Sequence, residues 1–151
     1  MKDIIQAGEK APDFILHDQS GAEISLSSFK GKKVLLSWHP LAWTAVCTDQ
    51  MRSLERNFTR FEEKKTAVLG LSIDSQPSKS VWARALSLNK VKILADFHPL
   101  GEVARAYGIF NEELGSSERA NILIDEDGNV IWSKHYERHT LPDVEEVLHQ
   151  L

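Results

Sequence analysis

Two periodicities of apolar and polar positions divide this chain into elements. Pro12-Asp-Phe-Ile-Leu16 and Ile24-Ser-Leu26 flank the turn residues Asp18-Gln-Ser-Gly21, which predicts a β-hairpin after a loose lead-in over Met1–Lys10. Ser27–Lys32 reads as a polar turn or a short helical turn. Lys33-Val-Leu-Leu-Ser-Trp38 and Thr66–Ile73 are nearly continuous apolar runs, which suit central strands covered on both faces. Pro40 cannot donate to a sheet ladder and ends the first run. Between the runs, Met51, Leu54, Phe58 and Phe61 recur at helical spacing, and Glu62–Lys65 is the solvated end of that helix. Thr44 is its candidate N-cap, which places Cys47 in the first turn.

Asp74–Ser78 is a loop that runs into a second helix, with Pro77 near the first helical position and Val81, Trp82, Ala85 and Leu86 as the inward stripe. Lys92–Ala95 is a short strand. Pro99 opens a helix through Val103, Ala104 and Tyr107, which Gly108 ends. Asn111–Ser117 reads as loop. Arg119–Asp125 and Val130–Trp132 form a closing hairpin about the turn Glu126-Asp-Gly-Asn129. Thr140–Asp143 has the form of a capping box, opening a last helix that turns Leu141, Val144, Val147, Leu148 and Leu151 inward. Strand–helix–strand alternation implies parallel pairing with helices on both faces, and the closing hairpin adds antiparallel strands. The predicted class is α/β, a thioredoxin-like fold with a central mixed β-sheet flanked by helices and an N-terminal β-hairpin, in one domain over residues 1–151.

Composition narrows the function. A chain of 151 residues is long enough to bury roughly 70% of its unfolded surface without staples. A net charge of −4 and the lack of a basic cluster argue against nucleic acid as a partner. No stretch approaches the ~20 apolar residues of a membrane span, and the apolar run in Met1–Gln6 is too short for a signal peptide. A cytoplasmic location is expected, with no membrane partner. The single cysteine excludes an intramolecular disulfide and the Cys-x-x-Cys chemistry of disulfide exchange. His135 and His139 have the spacing of a metal pair only if helical, and they follow a strand; neither metal nor cofactor is expected.

The chemistry therefore rests on Cys47 or nowhere. An arbitrary lone cysteine is most often an inert buried hydrophobe. The thiolate is the nucleophile, and the first turn of a helix and a nearby arginine both favour it. Arg52 is near in sequence but points elsewhere on the helix, whereas Arg119 reaches the site if the sheet brings it there. Asp49 complements the helix dipole.

Pro40, Thr44 and Cys47 form Pro-x-x-x-Thr-x-x-Cys between a buried strand and an amphipathic helix. This resembles the active-site signature of the peroxiredoxins, of alkyl hydroperoxide reductase and thiol-specific antioxidant type. Arg119, opening Arg-Ala-Asn-Ile-Leu-Ile-Asp-Glu-Asp-Gly128, is similar to the family's second active-site element, and Ala11-Pro-Asp-Phe14 and Ser72-Ile-Asp-Ser75 to two further landmarks. The resemblance implies a one-cysteine thiol-dependent peroxidase. In it Cys47 attacks hydrogen peroxide or an organic hydroperoxide and becomes a sulfenic acid, and an external thiol reduces that acid, since Arg52 stands where one subgroup carries a resolving thiol. Thr44 hydrogen-bonds sulfur and peroxide, Pro40 walls the pocket, and Arg119 stabilises the breaking O–O bond. A homodimer is the implied assembly. His39 and Gln50 depart from the usual aromatic and Glu; His39 is expected as a packed neighbour of the pocket, and Gln50 as an uncharged acceptor for an arginine. Trp43 and Trp82 are expected in pocket lining or dimer surface. The competing reading is a redox-sensing or binding module on the same scaffold, without fast turnover.

Overall fold

The computed structural model describes residues 3–151. A seven-stranded mixed sheet is its framework, in the order β2-β1-β5-β4-β3-β8-β9. The strands are β1 (Ile15–His17), β2 (Glu23–Ser25), β3 (Lys33–Trp38), β4 (Thr66–Ser72), β5 (Lys92–Ala95), β8 (Arg119–Ile124) and β9 (Val130–Tyr136). β3, β4 and β5 run parallel, as the intervening helices require, and the N-terminal hairpin and β8–β9 pair antiparallel at the two sides. This is the thioredoxin-like arrangement predicted above.

Alternation along β3 divides the core. Val34, Leu36 and Trp38 face one layer, with Leu71, Tyr107 and Ile122. Leu35 faces the other, with Cys47, Met51, Phe61, Trp82 and Leu123. The second layer is roofed by α1 (Ala45–Arg56), α2 (Phe58–Glu63), α3 (Gln76–Leu86) and α5 (Val144–Leu148); α4 (Glu102–Ala106) covers the first. Gly70 on β4 sets how closely α1 lies on the sheet. A Cβ there would stand 2.5 Å from Met51 Sδ and 3.1 Å from Ile93 Cγ2, so the missing side chain is the space that Met51, one turn after Cys47, occupies.

Five expectations change. The helix predicted from Thr44 to Lys65 breaks at Asn57, whose side-chain amide donates to the Ser53 carbonyl at 2.8 Å, an acceptor it shares with its own backbone N–H at 3.1 Å. Asn111–Ser117 is not all loop: β6 (Phe110–Asn111) and β7 (Ser116–Ser117) make a small antiparallel ladder. The lead-in is tied down over the described residues, with Ile5 N–H donating to Tyr107 O at 3.0 Å and Gly8 N–H to Val130 O at 2.8 Å; Met1 and Lys2 lie outside those residues. The last helix starts at Val144 with Asp143 as N-cap, accepting from Glu145 N–H at 2.9 Å, while Thr140 bonds to Glu137 and Leu141 is exposed. On α3 the buried side chains are Lys79, Trp82 and Ala83, and Val81 and Ala85 face outward. A lysine on the inward stripe is the displacement that hydrophobic patterning cannot foresee.

Candidate active site

Local sequence and sheet register together build a site at the C-terminal end of β3. His39 N–H donates to Leu71 O at 3.0 Å, which extends the β3–β4 pairing one residue beyond Trp38. Pro40 then ends the strand and is buried. Ala42 N–H is held by Asp74 at 2.8 Å, and Trp43 turns the chain with φ of 73°, a conformation that costs a bulky residue strain. Thr44 (φ −90°, ψ 157°) is the N-cap, so Cys47 lies in the first turn of α1 as expected. Its sulfur is fully buried and faces the sheet.

Arg119 comes to the sulfur through pairings distant in sequence. The β3–β8 register sets Trp38 opposite Ala120 and Ser37 opposite Asn121, which brings the first residue of β8 to the end of β3. Arg119 shares its sheet face with Leu123, the face against which α1 packs. Its Nη1 donates to Gln50 Oε1 at 2.6 Å and stands 3.4 Å from Cys47 Sγ. Nε and Nη2 both donate to the Arg138 carbonyl, at 3.1 and 2.7 Å. Gln50 is fixed in turn by donating to Ser37 Oγ at 2.8 Å and to Trp38 O at 3.1 Å. The guanidinium plane is thus clamped from two sides with one N–H edge on the sulfur.

The structure brings Arg119 to Cys47, and sets Arg119 with Pro40 and Thr44 around one pocket, which the fully buried Cys47 does not itself line. Thr44, Pro40 and Arg119 line a pocket of about 370 Å³ whose apolar walls include Leu41, Val46 and Leu114 and whose rim carries Arg138 and His139. In one respect the sequence expectation fails: the Thr44 hydroxyl does not bond the sulfur but donates to Leu41 O at 2.8 Å. That orientation leaves its lone pairs free to accept from a pocket ligand. His39 lies behind the site, fully buried against Trp82 at 5.3 Å between ring centroids, and does not line the pocket. Burial, with Lys79 and Arg119 as neighbouring cations, holds its pKa well below the usual histidine value, so the ring is neutral. Trp82 is core, whereas Trp43 is 53% exposed, with its indole N–H on Ser78 at 3.2 Å. Arg52 and Asp49 are exposed on the outer face of α1. His135 sits on strand β9, and the described residues hold no cluster of metal-ligating side chains.

Sequence reasoning missed Arg138 and Lys79. Arg138 acts through its backbone carbonyl, which leaves no residue-type signal. Lys79 resembles any solvent-facing lysine until its helix is docked.

A family model described as the AhpC/TSA family matches residues 7–133. Alkyl hydroperoxide reductase E of Mycobacterium tuberculosis is 35% identical over 126 residues, which cover 83% of this chain and 82% of that protein. Peroxiredoxin Bcp of Escherichia coli is 32% identical over 132 residues, covering 83% of each chain. Among solved structures, the reduced 2-Cys peroxiredoxin of Plasmodium vivax superposes with a TM-score of 0.87 at 27% identity, covering 95% of this chain and 79% of that one.

Proposed function

The chain belongs to the AhpC/TSA family and is a thiol-dependent peroxidase, and on that premise we propose that Cys47 is its peroxide-attacking thiolate, served by Thr44, Pro40 and Arg119. The observation that carries this reading is the Arg119 guanidinium, clamped by Gln50 and the Arg138 carbonyl with Nη1 3.4 Å from Cys47 Sγ. A cation fixed beside a sulfur in a helix first turn favours the thiolate and stands ready for charge that develops nearby.

The reaction balances as a two-electron displacement at oxygen. The thiolate sulfur attacks the terminal oxygen of ROOH; the S–O bond forms as the O–O bond breaks, and the pair from that bond leaves on RO⁻. Sulfur is oxidised to the sulfenic acid, peroxide is reduced, and a proton converts RO⁻ to ROH. Thr44, with its own proton committed to Leu41 O, accepts from the hydroperoxyl O–H and aims its oxygen at sulfur. Arg119 and the free N–H groups of the first turn of α1 receive the negative charge of the stretched O–O bond. Pro40 walls the pocket against water. Because Cys47 is the only cysteine, an external thiol then condenses with the sulfenic acid to release water, and a second thiol frees Cys47 as a disulfide leaves.

A reducing cytoplasm is the compartment proposed, since this cycle consumes external thiols; no helix among the described residues is long and apolar enough to cross a membrane. A homodimer is the proposed assembly. The exposure of Leu41 and Trp43 beside the pocket and of Val81 on α3 supports it, and sedimentation tests it.

The test is peroxide consumption with hydrogen peroxide and an organic hydroperoxide across several donor thiols, comparing the native protein with Cys47→Ser. Consumption falling to the buffer rate in the variant is expected. Full activity in a folded Cys47→Ser protein contradicts the assignment.

A further inference from the structure

Lys79 is a buried charge that the reaction above leaves unused. It stands on the inward face of α3, fully buried, and among the described residues no ion pair joins it to a carboxylate. Lysines are almost never fully buried unless paired. Its Nζ donates to Leu94 O at 2.7 Å and lies 3.5 Å from His39 Nε2. The neutral His39 ring can offer Nε2 as an acceptor to the ammonium. His39 is itself held at three points: its ring packs on Trp82, its N–H bonds to Leu71 O, and its carbonyl accepts from Ser117 Oγ at 3.1 Å.

The groups that act on Lys79 through space come from every side. Asp74 after β4, Asp96 after β5 and Cys47 on α1 favour its charge, and the positive charge of Arg119 shares the His39 surroundings. Both carboxylates are engaged elsewhere. Asp74 accepts from Ser72 Oγ at 2.5 Å and from Ala42 N–H at 2.8 Å; Asp96 accepts from Val103 and Ala104 N–H at 3.1 and 2.9 Å. Burial raises the Asp96 carboxyl to about 6, which weakens it further as a counter-ion in mild acid. Cys47, whose effect on Lys79 ranks after those of Asp74 and Asp96, is the third group that favours its charge, and neither carboxylate bonds to Nζ.

We propose that Lys79, held in place by His39, is a positioning residue for the peroxide reaction: its ammonium adds a second positive charge to the field at Cys47, from α3, as Arg119 does from β8. The proposal rests on the reading of Cys47 as the peroxide-attacking thiolate. It separates the roles of the two cations. Arg119 touches the sulfur and lines the pocket. Lys79 acts from behind, and its contribution is conditional. Burial brings Lys79 down to about 7, so its charge is present below neutral pH and fades above it. The site thus gains help toward the thiolate in the range where a free thiol is protonated. By linkage, loss of the thiolate on oxidation makes Lys79 a stronger acid.

The test titrates the ultraviolet absorbance of the Cys47 thiolate in the native protein, Lys79→Met and Lys79→Gln, with Cys47→Ser as the blank, and needs no peroxide. In both variants the thiolate-to-thiol ratio at about pH 6 should drop about tenfold, and the oxidation rate by hydrogen peroxide should drop about tenfold there but less than about twofold at about pH 9. Superimposable thiolate titrations in folded Lys79→Met protein overturn the proposal, whatever the peroxide activity. A readout without variants is the ¹³Cε resonance of Lys79 in labelled native protein. Its titration midpoint should move to lower pH when Cys47 is oxidised, and an unmoved midpoint overturns the proposal. Peroxide consumption that survives Cys47→Ser is a separate failure, that of the underlying reading.

Discussion

Arg119 and Lys79 both carry positive charge to the neighbourhood of Cys47, yet the fold supports them differently. On the pocket side, Arg119 spends its N–H groups on Gln50 Oε1, the Arg138 carbonyl and the sulfur, and Gln50 is anchored to Ser37 and Trp38. On the far side, Lys79 has one carbonyl and one neutral ring nitrogen, and Nδ1 of its neighbour His39 has no hydrogen-bond partner among the described residues. The first arrangement is a satisfied network, which fixes geometry. The second carries a desolvation cost that stability alone does not explain. A clamped guanidinium is set to receive charge at a defined point, and a weakly paired buried amine is set to respond to the charge of its surroundings.

Removing the pocket-side cation should have the largest effect. Arg119→Met is expected to lower kcat/KM for peroxide by about 10²–10³-fold, the cost of losing one preorganised donor. Steady-state kinetics check it, with circular dichroism to show that the fold is kept.

Removing the far-side cation should act on stability in the opposite direction. The folded-state pKa of Lys79, about 7, lies below that of an unfolded lysine, so its penalty is fully present below about pH 7 and disappears as pH rises toward the unfolded value near 10.4. Lys79→Met should therefore raise stability by about 1–4 kcal/mol at mildly acidic pH, with the gain shrinking as the solution becomes alkaline. Urea unfolding on both sides of neutrality measures it. An equal gain at both would show that packing, not charge, is responsible.

Loosening the clamp should have an intermediate kinetic effect and a smaller one on stability. Gln50→Ala strips Arg119 Nη1 of its acceptor and leaves Ser37 and the Trp38 carbonyl without their donor, at a cost of about 1–3 kcal/mol in stability. Peroxide turnover should fall by about tenfold, for a misaimed rather than missing guanidinium. Gln50→Glu sharpens the point: a charged acceptor holds the arginine more strongly, so it should keep activity better than Gln50→Ala. The ranking of the two variants in one assay decides it.

How far the sequence discloses this arrangement depends on whether each feature is local. β3 and β4 are legible because strands covered on both faces must be apolar throughout, and Lys33–Trp38 and Thr66–Ser72 are nearly so. The seam from Pro40 to Cys47 is legible because a strand stop, an N-cap and a helix start lie within a few residues. The meeting of Arg119 with Cys47 depends on register across 72 residues, and local pattern leaves that open; only the resemblance to a known motif placed them together. The last helix shows the opposite failure. Thr140 and Asp143 are both adequate caps by residue type, and docking of Val147 and Leu148 against the sheet selects Asp143. Lys79 is misplaced by any hydrophobic stripe, because its burial is an exception to the rule on which the stripe rests.

The central claim is that Cys47 is a poised thiolate and not an inert core thiol. Its most direct test is to oxidise reduced protein with stoichiometric hydrogen peroxide in the absence of thiol, following intact mass against time. A poised thiolate gains one oxygen on Cys47 at a second-order rate far above that of free cysteine and loses it again when a thiol is added. Oxidation at the rate of free cysteine contradicts that claim.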